Sequence, residues 1–429
     1  MRSSILSAVL CLFLSVIFFS CKKNADHPTK PIDTDTIVHI NYIYLATSFQ
    51  IQSDSLKQIE LILSEPGGKI LLDTVAAVNT NIVADITKTT ARVDLTVIRY
   101  RPIAKAFYVS TEKSIDASAW SILPGSDSLT GVPPNVIPPY FASSVYYTNG
   151  PAGPPEPYYW SGSNANYQEG SYNNTGNNIL SLGFLQEPGF EVYLVLPNRG
   201  LYNFHPMSAG GNDVVDLSKM DTALRVQIAH PTQYSTIEFT LNGFPDTNNV
   251  QRNVAMMHYL PGIDTLAGSK VIYPGRKVFT KYQFGFSATD NANKTTISFN
   301  DPWCDSVNAN PFLPDETYFT LSSTQNNNFS VQFTKLHPSY YTMDWGTSQF
   351  YWRLDVPADS TVLNPLRLLT DLNSKLLKGL NGNGMKISDL TFGYLIDNGM
   401  PVLSPLVPLD GKFHGTSQQK ASAYLEKFF

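Results

Sequence analysis

The residues best suited to chemistry in this chain are carboxylates and one thiol gathered at Asp301-Pro302-Trp303-Cys304-Asp305, with Asp315-Glu316 downstream. Three chemistries fit such a group. Asp in turns takes local backbone hydrogen bonds, and this is the first reading. Carboxylates in a loop can also hold Ca²⁺, which wants six to eight oxygens. Two carboxylates a few ångströms apart can act as an acid/base pair on a glycosidic bond. Cys304 has no Cys-His signature around it and reads as a small buried hydrophobe rather than a nucleophile. The histidines His27, His39, His205, His230, His258, His337 and His414 have no metal-ligand spacing. HExxH, GxSxG and P-loop patterns are missing from the sequence. We expect no catalytic residue, no metal and no cofactor.

The second set is aromatic. Tyr158-Tyr159-Trp160 and Phe350-Tyr351-Trp352 are triplets, with Trp303 and Trp345 beside them in composition. Sugars stack their C–H faces on flat rings, so Tyr158, Tyr159, Trp160, Trp303, Trp345, Tyr351 and Trp352 are the candidate ligand-binding residues. Cores and interfaces spend the same residue types on burial. In a strand successive side chains point to opposite faces, so each triplet must bury at least one ring.

These residues sit on a chain that reads as mainly β. Val93, Leu95 and Val97 alternate with Arg92, Asp94 and Thr96, which puts apolar groups on one face and polar groups on the other. Ile237, Phe239 and Leu241, then Tyr282, Phe284 and Phe286, then Phe329, Val331 and Phe333 repeat that period. Residues 59–63 and 69–72 flank Pro66-Gly67-Gly68, a hairpin turn. We expect tandem antiparallel β-sandwich (Ig-like) modules with a short C-terminal helical segment. The organisation is a signal peptide at 1–20, a tether at 21–37, a first module at 38–124 and Pro/Gly/aromatic-rich connecting loops at 125–178. A second module, elaborated or double, follows at 179–360, and a helix-containing segment at 361–429. The best helix runs over 364–380, with Asn364 as cap and Pro365 in the first turn. A terminal helix is expected over 417–429.

An internal repeat links the two β regions at an offset of 131 residues. Glu60, Leu63, Pro66, Asn81, Val83, Asp85 and Lys88 align with Glu191, Leu194, Pro197, Asn212, Val214, Asp216 and Lys219. A repeat of this kind means one module type duplicated.

Compartment follows from the first residues. Arg2, then an uncharged apolar run over 5–19, then Ser20 and Cys21, have signal-peptide order. Ser20-Cys21 resembles the lipobox of bacterial lipoproteins, although Phe18 replaces the usual leucine three places before the cysteine. The resemblance implies lipidation at Cys21. Lys22 rather than Asp after the cysteine implies the outer membrane, with the periplasmic or surface face left open. Multiple acyl chains make a firm anchor, at about 0.8 kcal/mol per buried CH₂. Loss of Arg2 with the leader takes 30 basic residues to 29 against 35 acidic ones, a net charge of −6, which argues against nucleic acid as a partner. Cys304 is then the sole thiol left, so no internal disulfide can form.

Architecture makes the chain similar to the accessory surface lipoproteins of bacterial polysaccharide-uptake systems, which are tethered β-sandwich modules. The resemblance implies a non-enzymatic, lipid-anchored envelope binding protein with polysaccharide as ligand. The alternatives are a structural or adhesive component that contacts another envelope protein, and a carboxylate-dependent glycoside hydrolase.

Overall fold

A computed structural model describes residues 36–44, 46, 48–52, 55–90, 92–116, 141–149, 156–162, 168–172, 180–186, 191–206, 212–244, 253–259, 270–275, 278–380, 382–397, 399–402 and 421–429. The expected leader, Cys21 and most of the tether lie outside the described residues. Among the described residues the fold is mainly β, with two short α-helices.

The first strands are β1 (Thr36–Ile43), β2 (Gln58–Ser64), β3 (Ile70–Ala77), β4 (Asn81–Lys88), β5 (Arg92–Arg101) and β6 (Ala106–Asp116), with helix α1 (Ser48–Gln52) after β1. β2 pairs with both β3 and β5, and β5 with β6, all antiparallel. β1 and β4 form a separate antiparallel pair. Its Ile40, Tyr42, Ile82 and Ile86 close over Ile59, Leu61, Leu63 and Leu95 in a self-contained core. Period-two burial requires this: one face of β2 and β5 meets the β1–β4 pair, and the other is left for the rest of the molecule.

Residues 125–178, expected as connecting loops, contain β7 (Phe141–Thr148), β8 (Glu156–Gly162) and β9 (Gln168–Tyr172). The prolines punctuate this stretch; between them the rings supply strand-forming, buriable side chains. Next come β10 (Leu180–Gln186), β11 (Glu191–Leu196), β12 (Leu201–Pro206), β13 (Asn212–Asp216) and β14 (Asp221–Thr222). A sheet ordered β14-β12-β11-β8-β9 packs on one ordered β10-β7-β13. Trp160, Val192 and Leu194 meet Tyr147, Val215 and Leu217 between them.

The remaining strands are β15 (Leu224–Gln227), β16 (Thr236–Phe244), β17 (Val254–Tyr259), β18 (Lys270–Tyr273), β19 (Lys281–Asp290), β20 (Thr295–Cys304), β21 (Phe319–Gln325), β22 (Asn328–Phe333), β23 (Tyr340–Thr347), β24 (Phe350–Pro357) and β25 (Val362–Leu363). After helix α2 (Pro365–Asp371) come β26 (Lys386–Asp397), β27 (Met400–Val402) and β28 (Ala421–Phe428). One sheet runs β17-β16-β19-β20-β28-β26-β23-β24-β6-β5-β2-β3, with β27 added to β26. Its ladder therefore crosses the boundaries drawn at 124 and 360. The crossing at β6 is parallel, Phe350↔Phe107 through Asp355↔Glu112.

Two helix expectations are corrected. α2 stops after about two turns instead of continuing to residue 380, because Asn373 adopts φ +47, the left-handed conformation that ends helices. The Asn364 cap forms as expected, its side chain accepting from Arg367 N at 2.9 Å. The terminal segment is strand β28, not a helix, since Ala423 and Leu425 alternate into the main core between two waiting strands.

The 131-residue offset appears in one hairpin. Glu60↔Val75, Leu61↔Thr74, Ile62↔Asp73 and Leu63↔Leu72 recur as Glu191↔Pro206, Val192↔His205, Tyr193↔Phe204 and Leu194↔Asn203. Beyond the hairpin the two regions diverge. β4 pairs antiparallel with β1, whereas β13 pairs parallel with β7.

Candidate functional site

The sheet face of β5 and β6 turned away from the β1–β4 pair forms the floor of a cleft of about 350 Å³. Thr96 on β5 and Thr111 on β6 are register partners, and their hydroxyl oxygens lie 2.9 Å apart. Thr111 also accepts from the indole Nε1 of Trp352 on β24, at 3.0 Å. A bulge between Val93 and Leu95 turns Asp94 toward Lys113, giving an ion pair of 2.6 Å with both side chains buried. The second oxygen of Asp94 accepts from Ser114 N at 2.8 Å. Breaking either partner would strand a buried charge, so each fixes the other.

Two elements wall the floor. The β2–β3 turn brings Pro66, Gly67 and Gly68, and α2 brings Arg367, Leu368, Asp371 and Leu372. Gly68 sits at φ +88, where a side chain would be strained. Glu65 ties this turn to Thr89, accepting from its N at 2.7 Å and its Oγ1 at 2.6 Å, and these bonds hold its carboxyl below the usual range. α2 is held from its far end. Buried Glu60 on β2 accepts from Ser374 Oγ (2.5 Å), Lys375 N (2.7 Å) and Leu376 N (2.9 Å). Lys375 Nζ reaches Asp73 at 3.0 Å. Arg367 and Asp371 pair on the helix surface at 3.3 Å, so the cleft's charges are balanced on wall and floor alike.

Of the sequence-predicted ring residues, Trp352 alone lines this cleft. Trp345 lies in the main core, edge-on to Phe329. Trp160 is buried in the small sandwich with Tyr158 packed against it, and of Tyr159 only its place in β8 is described. Trp303 is half-buried against Phe244, 4.9 Å between centroids. Tyr351 is exposed on the opposite sheet face, beside Tyr108. The expected ring platform is therefore not assembled among the described residues. Alternation in each strand sends neighbouring rings to opposite faces, and most go to cores.

The carboxylate cluster resolves into turn and cap chemistry. Asp301 accepts from Trp303 N at 3.2 Å, and Asp315 caps a short 3-10 turn through Thr317 N at 2.7 Å. Asp305 pairs with Lys281 at 2.6 Å. The Cys304 thiol is pushed up to about 12 by burial, which leaves almost no thiolate at neutral pH. Among the described residues no cluster of His, Cys, Asp or Glu could hold a metal ion.

Sequence reasoning missed Asp94, Thr96, Thr111 and Lys113. Alternation puts Asp94 and Thr96 on the polar face of their strand, yet both are buried. The available signal was two polar residues facing Thr111 and Lys113 at the same spacing on the next strand.

A carboxylate row crosses the other sheet face. Asp344 on β23 and Asp389 on β26 are register partners, and Glu426 on β28 lies one step along. Burial, then a hydrogen bond and charge repulsion from Glu426, push Asp389 up to about 7. Thr391 and Arg353 oppose that shift. Asp389 therefore keeps its proton when folded and loses it near pH 4 when unfolded. Its contribution to stability is full below about pH 4 and is lost as pH rises toward 7. We expect Asp389→Asn to flatten urea-unfolding stability between pH 5 and 8 relative to the parent, the gap changing by on the order of 2 kcal/mol. Parallel profiles for the two proteins would contradict this.

No protein-family model and no curated protein matches the sequence. Among solved structures, the crystal structure of a tetra-tandem repeat in the extending region of a large adhesion protein is similar at 10% identity, over 81% of this chain and 89% of that one. Its TM-score of 0.11 is too low to bear on fold or function. Among the described residues no helix is long and apolar enough to cross a membrane.

Proposed function

We propose that the protein is a non-enzymatic, lipid-anchored binding protein of the outer membrane, whose cleft takes a neutral, hydroxyl-rich ligand of the saccharide class. The observation that carries the reading is charge balance in a cleft with a polar floor and apolar walls. Asp94 is paired with Lys113, and Arg367 with Asp371, so a charged ligand would have to break a pair. A sugar hydroxyl both donates and accepts, and can sit beside a satisfied pair without unbalancing it. The chain Trp352 Nε1 to Thr111 Oγ1 lets Thr111 donate to Thr96, which frees the Thr96 proton for the cleft. Apolar walls at Leu368 and Leu372 suit the C–H faces of a pyranose.

The test is a glycan array with the full chain in detergent, followed by titration of any retained saccharide. Thr96→Val keeps the side chain's shape and removes the hydroxyl; we expect binding at least about tenfold weaker, the loss of one hydrogen bond to a ligand. No retained glycan would end the saccharide reading. Anchoring is tested separately by Cys21→Ser, which should move the protein out of the membrane fraction; unchanged retention would remove the lipid anchor.

Burial of Trp160 and Trp345 favours a second reading, a scaffold that contacts another envelope protein through its sheet edges. Edge strand β3, with Ile70 and Val75 exposed, is the surface it would use.

A further inference from the structure

We propose that β28 is an exchangeable strand, and that the partner it fits is a second copy of this chain. β28 fills a slot in the middle of the main sheet. It pairs antiparallel with β20 over Thr295↔Lys427 through Asn300↔Ser422, and with β26 over Asp389↔Phe428 through Ile396↔Ala421. Without it, β20 and β26 would each present a bare edge, and the core would lose Ala423 and Leu425.

The connection to that slot is far longer than the fold needs. Leu395 on β26 has Val402 of β27 as register partner on one side and Ser422 of β28 on the other. Two strand spacings, roughly 10 Å, separate those neighbours. The intervening residues 403–420 could span up to about 60 Å when extended. A strand on such a tether can reach its own slot or the same slot in an adjacent molecule. By contrast β19 and β20 are joined by a tight turn, as are β23 and β24, and neither pair can separate that way.

Side-chain contacts also tie β28 to its neighbours, including a hydrogen bond between Tyr424 and Tyr340. Glu426 lies diagonal to Asp389 across the β26–β28 ladder and shares a hydrogen bond with it, the proton sitting on Asp389. Lys427 on β28 is 3.8 Å from Glu316, a weak pair. What holds β28 is the backbone ladder, the apolar contacts and these side-chain bonds, and a second copy offers all of them unchanged. Exchange then costs no contact, and concentration sets its extent.

The experiment uses the full chain in detergent on a Cys304→Ser background. Asn300 and Ser422 are register partners, one exposed and one small, so each tolerates cysteine. A chain carrying both Asn300→Cys and Ser422→Cys should oxidise to an internal disulfide. Failure to do so means β28 is not seated between β20 and β26, and the proposal falls. The two single variants are then mixed, unfolded in urea, refolded together at high concentration and oxidised. The expected product is a reducible covalent dimer in which mass spectrometry finds the peptides carrying positions 300 and 422 linked. Only monomer, or as much dimer when Thr320→Cys replaces Ser422→Cys, overturns the exchange.

Discussion

Glu60→Ala should be among the most destabilising single substitutions in the molecule, lowering stability by about 3 kcal/mol or more. Glu60 is fully buried, and its two oxygens satisfy three donors on the segment that follows α2. Removing the acceptor strands the amides of Lys375 and Leu376 and the Ser374 hydroxyl together. Glu60→Gln should be only slightly milder, because its amide nitrogen turns a donor toward donors. Lys375→Ala should cost less than about 1 kcal/mol, since its own side chain is more than half exposed where it pairs with Asp73. Urea unfolding of the three variants checks the order. An Ala variant within about 0.5 kcal/mol of the parent would show that the clamp does not hold α2. Because α2 is a wall of the cleft, Glu60→Gln should also weaken ligand binding without touching the ligand.

Glu60 shows where sequence reading stops. That residues 59–63 form a strand was legible, and the period of two in that strand puts Glu60 on the face opposite Ile59, Leu61 and Leu63. That this face is covered by residues 374–376 depends on a contact more than 300 positions away, and no local pattern reports it. The same limit explains β28. Its apolar residues alternate as a strand's should, but a terminal polar-aromatic segment also fits a helix, and only the slot between β20 and β26 decides. Short-range chemistry was read more reliably. The Pro66-Gly67-Gly68 turn, the Asn364 cap and the Asp301 and Asp315 turns are set by residues within a few positions of one another. Asn373, whose left-handed φ ends α2, is the local signal that a helix drawn over 364–380 leaves out.

Tyr351 and Trp352 should behave as opposites although they are neighbours in one triplet. Trp352 is fully buried in the main core, packs 6.4 Å from Phe350 and donates its indole N–H to Thr111. Trp352→Ala should cost about 3–5 kcal/mol, the range for emptying an aromatic core site. Trp352→Phe should cost less, but it leaves Thr111 without that donor and so should still loosen the hydroxyl pair on the cleft floor. Tyr351 lies on the far face, 37% exposed and hydrogen-bonded to Asp344, and Tyr351→Ala should cost about 1–2 kcal/mol, well below the loss of the indole. Binding separates the two faces as sharply as stability does. A saccharide held in the cleft is insensitive to Tyr351→Ala and sensitive to Thr96→Val. If loss of Tyr351 abolished retention while Thr96→Val left it intact, the ligand would lie on the exposed sheet beside Tyr108, and the assignment of the cleft would be wrong.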